Sequence, residues 1–182
     1  AVSTRTDGGC HQSLDLIIRK ILMDPGQYKY HVVKERIRRS VESAAGIVGE
    51  NYRNSLLDAI DCLDEAVGFM KSLMDSGRLT NLLMNVDPLR RAVYDVLIAW
   101  MHLLCLTLAK PKLEAITGRA AGKDQASFIE SDSEAVFYHG KVCSSEFWLA
   151  TEFPKYFGKI DAILQGGKLD VGDVRAVFPV FS

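Results

Sequence analysis

The chain has 182 residues, of which 48% are hydrophobic and 25% are charged, the proportions of an ordinary globular protein. This length is sufficient for one domain with a sizeable apolar core. The formal net charge of -1 lacks the basic excess of a nucleic-acid-binding surface, so nucleic acid is not an expected partner.

Residues 1–10 are polar and contain two glycines, so they predict a loop and not a signal peptide. The chain begins with Ala1 instead of methionine, which is typical of a processed or excised fragment. The four cysteines are far apart and form no CxxC pair, and three of them (Cys62, Cys105 and Cys143) fall in apolar helical patterns. A reduced, cytoplasmic chain is therefore predicted.

The first half of the chain predicts three helices. Residues 11–23 form a short amphipathic pattern that ends at Asp24-Pro25-Gly26, a turn sequence. A second helix is predicted over about 28–48, with Lys34 and the arginines up to Arg39 on its solvated face. Its apolar line is Val33, Ile37, Val41, Ala44 and Val48.

The third helix, from Tyr52 to about Asp75, has the most regular pattern. Its apolar positions alternate spacings of four and three, which predicts the seam of a helical bundle. These positions are Leu56, Ile60, Leu63, Val67, Met70 and Met74. Acidic residues lie on its other faces, but no histidine in the chain follows three residues after a glutamate, so a di-iron site is not predicted.

The sequence Asp87-Pro88 predicts the start of a fourth helix, as an N-cap followed by a proline in the first turn. This helix, about 89–110, contains an apolar run over residues 96–109. The run is too short for a membrane span and predicts a helix surrounded by others. His102, within it, is predicted to be a hydrogen-bonded core or interface histidine. Residues 111–130 are predicted to form the longest connection.

A fifth helix is predicted from Ser131 to Gly167, with Ser131 and Glu134 as a capping box. Its predicted core-facing line is Val136, Gly140, Cys143, Phe147 and Ala150, followed beyond Pro154 by Phe157, Ile160 and Leu164. No convincing strand pattern occurs. The predicted fold is all-α, an antiparallel bundle of about four long helices with a short N-terminal helix.

Motifs for nucleotide, hydrolase, zinc-protease or thiol-redox chemistry are absent from the sequence. We therefore predict no catalytic, cofactor-binding or metal-binding residue in the chain. A stand-alone enzyme would have to use Tyr138, His139 and Lys141, which do not all share one helix face.

Two segments resemble one family. The sequence AVFYHGKVCSSEFWLATEFPK is similar to the last long helix of the C-terminal extension of the longer bacterial acyl-CoA dehydrogenases. The sequence HQSLDLIIRK resembles the Q-A-L-D-L-x-G-R-K run that ends the catalytic part of those enzymes, with Ile18 in place of its glycine. The resemblance spans about residues 5–175 and keeps the order of the elements.

The resemblance implies that residues 1–24 are a remnant of the dehydrogenase and that residues 25–182 are the helical extension. The full-length parent would be an FAD-dependent enzyme that oxidises acyl-CoA thioesters. The flavin-binding domains are missing from this chain, so we expect it to hold no FAD and to be inactive alone. Thr6 occupies the position of the glutamate base of some members, so a catalytic base cannot be transferred.

For the domain itself, the resemblance implies packing, oligomerisation or cover of the active-site face. The expected partners are the remainder of the dehydrogenase polypeptide and further copies of the chain. Aromatic residues dominate interface hot spots, so Tyr138, Trp148 and Tyr156 are predicted as anchors on the face opposite the core line. The alternative is a free-standing helical module that binds a partner helix or an acyl chain.

Overall fold

A computed structural model describes residues 14–118 and 125–166. Within these ranges the chain is helical and contains no strand, which confirms the predicted all-α class. A π-helix (Asp15–Leu22) and a 3-10 turn (Pro25–Gln27) precede the α-helices. These are α1 (Tyr28–Ser43), α2 (Glu50–Asp75), α3 (Leu79–Thr117), α4 (Gln125–Ser131), α5 (Ser133–Thr151) and α6 (Lys155–Gly166). The predicted loop at residues 1–10 and the tail after Gly166 lie outside the described residues.

The helices divide into two compact units. Unit 1 comprises Ala1–Lys34, Ile60–Tyr94 and Tyr156–Ser182, and unit 2 comprises Glu35–Ala59 and Asp95–Lys155. The boundary predicted between residues 24 and 25 separates the dehydrogenase remnant from the helical extension. It concerns the origin of the two segments and not their packing, and it stays a prediction.

The core of unit 1 is built on the second half of α2. The predicted α2 seam is confirmed, because Leu56, which belongs to unit 2, and the seam residues of unit 1 from Ile60 to Met70 are buried, and Met74 is half-buried. The N-terminal helix and α6 contribute further buried side chains to unit 1: Ile17, Ile21, Leu22, Tyr156, Ile160 and Ile163. The turn predicted at Asp24-Pro25-Gly26 is present, and Gly26 supplies its positive φ of 64°.

A polar cluster joins α1 to α2 within unit 1. The Lys34 ammonium donates to both carboxylate oxygens of Asp64, at 2.7 and 2.5 Å, and the Tyr30 hydroxyl donates to the same carboxylate at 2.7 Å. The Lys34 side chain is only 13% exposed. Its predicted place on the solvated face of α1 is therefore wrong. The pattern of α1 could not show this, because the ion-pair partner of Lys34 lies on α2, 30 residues away in sequence.

Helix α3 begins at Leu79, so the predicted start at Asp87-Pro88 is wrong. Pro88 has no amide hydrogen, so the helix lacks the hydrogen bond from residue 88 to the carbonyl of Met84. The Asp87 carboxylate accepts hydrogen bonds from Arg90 and Arg91, three and four residues later. The bond from Arg90 holds the pKa of Asp87 below its usual value. Asp87 thus lies inside a helix and pairs along its surface.

The core of unit 2 uses the inner face of α3. Its buried residues there are Val96, Ala99, Leu103, Leu106 and Ala109. The predicted apolar line of the second helix is largely confirmed, since Ile37, Val41, Ala44 and Val48 are buried, whereas Val33 is exposed. Helix α3 continues through Pro111 to Thr117, so the predicted connection begins later than expected.

The predicted single helix from Ser131 to Gly167 is wrong, because it is interrupted twice. Helix α4 ends at Ser131, and Asp132 begins α5 as its N-cap by accepting from the amides of Glu134 and Ala135, at 2.9 Å each. Residues 152–154 form a turn before α6, because Pro154 disfavours helical geometry at the residue before it.

Replacing Asp132 by alanine should cost about 1 kcal/mol of unfolding free energy, because two first-turn amides lose their acceptor. The matched control is Ser131→Ala, since the Ser131 hydroxyl donates to the carbonyl of Phe128 and caps nothing. Urea denaturation followed by circular dichroism measures both. A larger cost for Ser131→Ala would restore the capping box predicted from the sequence.

Candidate interaction surfaces

The apolar line predicted to face the core on α5 lies on its outside. Phe147 is 65% exposed, and Val136, Gly140, Cys143 and Ala150 are exposed as well. We call these five residues the outer α5 face. The buried positions of the helix are instead Ala135, Ser145 and Leu149. The prediction was wrong about which face is covered, and Cys143 is correspondingly an exposed thiol.

The three predicted anchors do not lie together on an exposed face. Tyr138 is half-buried, and its hydroxyl accepts a hydrogen bond from Lys112 at 3.0 Å. Trp148 is half-buried, and Tyr156 is fully buried at 0% exposure. The predicted placement is therefore wrong, most clearly for Tyr156, whose ring belongs to the core of unit 1. Contacts of Tyr138 and Trp148 with another chain stay a prediction.

His102 and Ser145 form a pair in unit 2 that resembles a base with its nucleophile. The Nδ1 atom of His102 is 3.1 Å from the Ser145 hydroxyl oxygen, and the imidazole stacks on Trp148 with ring centres 4.9 Å apart. Ser145, however, is only 1% exposed, so a substrate cannot reach its oxygen. His102 is half-buried and hydrogen-bonded, in agreement with the prediction of a hydrogen-bonded core or interface histidine.

Burial lowers the pKa of His102 below its ordinary value of 6.5. The unfolded chain then takes up a proton at this residue more readily than the folded chain, so folding stability should fall as the pH drops through 6.5. The loss of melting temperature between pH 7 and pH 5.5 should be smaller in His102→Asn than in the wild type. Equal losses in both proteins would contradict this prediction.

Tyr138, His139 and Lys141 do not converge into a catalytic site. Tyr138 contacts Lys112, His139 lies 3.5 Å from the Cys143 sulfur, and the Lys141 ammonium sits over the ring of Phe137. Each side chain is thus engaged in a different direction. Among the described residues, no group of three histidine, cysteine or acidic side chains could hold a metal ion.

A bound flavin needs a flat apolar slot for its ring and hydrogen-bond donors for its pyrophosphate, and each unit contains a cleft. The unit 1 cleft has a volume of about 400 Å³ and is lined by Asn85, Asp87, Pro88, Arg91, Lys159, Ala162 and Ile163. Its Arg91 guanidinium is already bound to Asp87. The unit 2 cleft, about 370 Å³, is lined by Ala126, Ile129, Glu130, Val136 and His139. The absence of FAD from this chain stays a prediction.

Helix α3 presents a second exposed apolar surface in unit 2. Ile98, Met101 and Leu108 are 42%, 50% and 68% exposed, and Cys105 between them is half-buried. We call these four residues the α3 outer stripe. In the described part of the chain, α3 is the one helix long and apolar enough to cross a membrane, but its opposite face is buried in the core of unit 2. A core helix passes the same test, and the predicted lack of a membrane span stays a prediction.

Comparison with known proteins identifies the family. The model described as "Acetyl-CoA dehydrogenase C-terminal like" matches residues 33–169, about three-quarters of the chain. Comparisons with curated proteins and with solved structures give no match. The matched residues include the aromatic helix that carried the resemblance, whereas HQSLDLIIRK lies before them, so the dehydrogenase remnant stays a prediction. The chain belongs to the acetyl-CoA dehydrogenase C-terminal-like family.

Proposed function

We propose that this chain is the C-terminal helical domain of an acyl-CoA dehydrogenase-like flavoprotein. The family match over residues 33–169 is the observation that carries the proposal. The full-length parent oxidises acyl-CoA thioesters in the cytoplasm, with FAD bound by its other domains. FAD supplies the hydride chemistry when bound there, and this domain contributes no residue to that chemistry.

The role of the domain itself is contact with other protein surfaces: packing, oligomerisation or cover of the active-site face. The side chains that could suggest catalysis are committed elsewhere, since Ser145 is enclosed and Tyr138 binds Lys112. The α3 outer stripe, in contrast, is an apolar surface of the kind that marks an interaction site.

The purified chain should show no flavin absorbance and should not reduce an electron-acceptor dye when acyl-CoA is added. Protein expressed from the complete reading frame should show both properties. Yellow, active protein from the 182-residue chain would contradict the proposed division of labour. A complete reading frame without flavin-binding domains would contradict the proposed parent.

The exposed apolar faces of α3 and α5 also support a second candidate function, a free-standing module that binds a partner helix or an acyl chain. Calorimetric titration with a long-chain acyl-CoA and with free CoA tests whether such a module binds an acyl chain. Heat from the thioester alone would support it. The absence of heat from both ligands would leave only binding to protein.

A further inference from the structure

The α3 outer stripe has the spacing of a coiled-coil seam. Ile98, Met101, Cys105 and Leu108 follow one another at intervals of three, four and three residues on a helix that is otherwise covered on its inner side. From Val96 to Ala109 the sequence contains no acidic residue, lysine or arginine, and His102 is its only titratable side chain besides Cys105. A helix that is apolar all round is normally covered all round.

The intervals of the stripe are the same in both directions along the helix. Consider two copies of α3 that pair in antiparallel fashion, with a two-fold axis crossing the helices at the height of residue 103. Ile98 then faces Leu108 of the partner subunit. Met101 then faces Cys105 of the partner subunit, a long side chain against a short one. A surface that meets its own copy in this way is self-complementary, as an isologous interface requires.

The charges at the two ends of the stripe favour the same arrangement. Asp95 lies just before the apolar run and the exposed Lys112 lies just after it, whereas Lys110 is bound to Glu146 of its own chain at 2.7 Å. Antiparallel pairing places Asp95 beside Lys112 of the partner subunit. Parallel pairing places like charges beside each other, which is unfavourable. Of three donors on the Lys112 ammonium, one binds Tyr138, and the side chain is exposed.

We propose that the α3 outer stripe pairs with the same stripe of a second copy, forming an antiparallel two-fold homodimer. This deepens the proposed function by naming the partner and surface of its oligomerisation role, and it rests on that function only in assigning the domain to contact instead of catalysis. A single helix stripe is a small surface beside the roughly 800 Å² per partner of a standard interface, so we expect a weak dimer.

Sedimentation equilibrium of the full 182-residue chain tests the surface. Met101→Glu and Leu108→Glu should each raise the dissociation constant at least about tenfold, because a charge enters the seam. The first control is Leu83→Glu, an exposed leucine of α3 whose antiparallel counterpart would be residue 123, beyond the end of the helix at Thr117. The second is Phe147→Glu on the outer α5 face. Both controls should keep wild-type association, and all four positions are exposed, so folding should be preserved.

Disulfide trapping tests the direction. With the four native cysteines changed to serine, Ile98→Cys and Leu108→Cys chains should form a mixed disulfide when combined, and neither alone should cross-link efficiently. Cross-linking of Ile98→Cys with itself would overturn the antiparallel arrangement. A monomer at all concentrations, dissociation by Phe147→Glu alone, or flotation with lipid vesicles in place of self-association would overturn the dimer. These readouts detect association, so they are independent of whether the parent oxidises acyl-CoA.

Discussion

Replacing Phe153 by alanine should lower the free energy of unfolding by about 3–5 kcal/mol, whereas Phe147→Ala should lower it by less than about 1 kcal/mol. The Phe153 ring is 1% exposed and stacks on Trp148, with ring centres 5.8 Å apart. Its removal leaves a cavity in unit 2. The Phe147 ring is 65% exposed on the outer α5 face, so its removal leaves no cavity.

The two phenylalanines form a matched pair, because the same atoms are deleted six residues apart, from an exposed ring in α5 and from a buried ring in the turn that follows it. Urea denaturation should be followed at a chain concentration below the dissociation constant, so that self-association does not contribute to either value. The sequence pattern alone predicts that Phe147 lies in the core. A greater loss for Phe147→Ala than for Phe153→Ala would therefore show that α5 is turned the other way.

The contrast between α2 and α5 shows what periodicity can establish. On α2 the acidic residues occupy the faces beside the seam, so only one face can be buried, and the predicted α2 seam is confirmed. On α5 apolar residues occur all round the helix. Two opposite faces therefore show the helical repeat of apolar residues equally well, and the repeat does not indicate which face is buried. The buried face includes Ser145, which is acceptable there because His102 provides a partner. That partner lies 43 residues away, so the sequence around α5 cannot reveal it.

The start of α3 was missed for a different reason. Asp87 followed by Pro88 has the form of a helix start, but Arg90 and Arg91 stand three and four residues later, where they bind the Asp87 carboxylate along an existing helix. This signal was present in the sequence and could have indicated a helix interior. The Lys34–Asp64 pair could not be inferred, since it depends on how α1 and α2 pack in unit 1.

The spacing of the α3 outer stripe can also be recognised in the sequence, but the sequence does not show that this stripe is exposed. The run from Val96 to Ala109 was predicted to be surrounded by other helices, and the chain covers only its inner side. Periodicity shows that a helix is apolar on several faces. Only the structure shows which of those faces remains uncovered and is available to a partner.

Replacing Asp64 by alanine should lower the free energy of unfolding by about 2 kcal/mol, because it removes the acceptor that Lys34 and Tyr30 share. The Lys34 ammonium would remain in a place where its side chain is 13% exposed, and a poorly solvated charge without its counter-ion is unfavourable. The surface control is Glu152→Ala, which breaks the exposed pair with Lys155 and should cost less than about 0.5 kcal/mol.

A double-mutant cycle separates the lost pair from the stranded charge. Lys34→Met removes the ammonium but keeps the length of the side chain, so Lys34→Met/Asp64→Ala should be less destabilised than the sum of the two single variants, by about 1 kcal/mol. The residual loss in the double variant combines the lost ion pair, the lost contact of Lys34 with the Tyr30 ring and the acceptor that the Tyr30 hydroxyl loses. Additive effects, or a loss for Asp64→Ala as small as that for Glu152→Ala, would mean that water solvates Lys34 despite its burial and that this cluster does not hold α1 to α2.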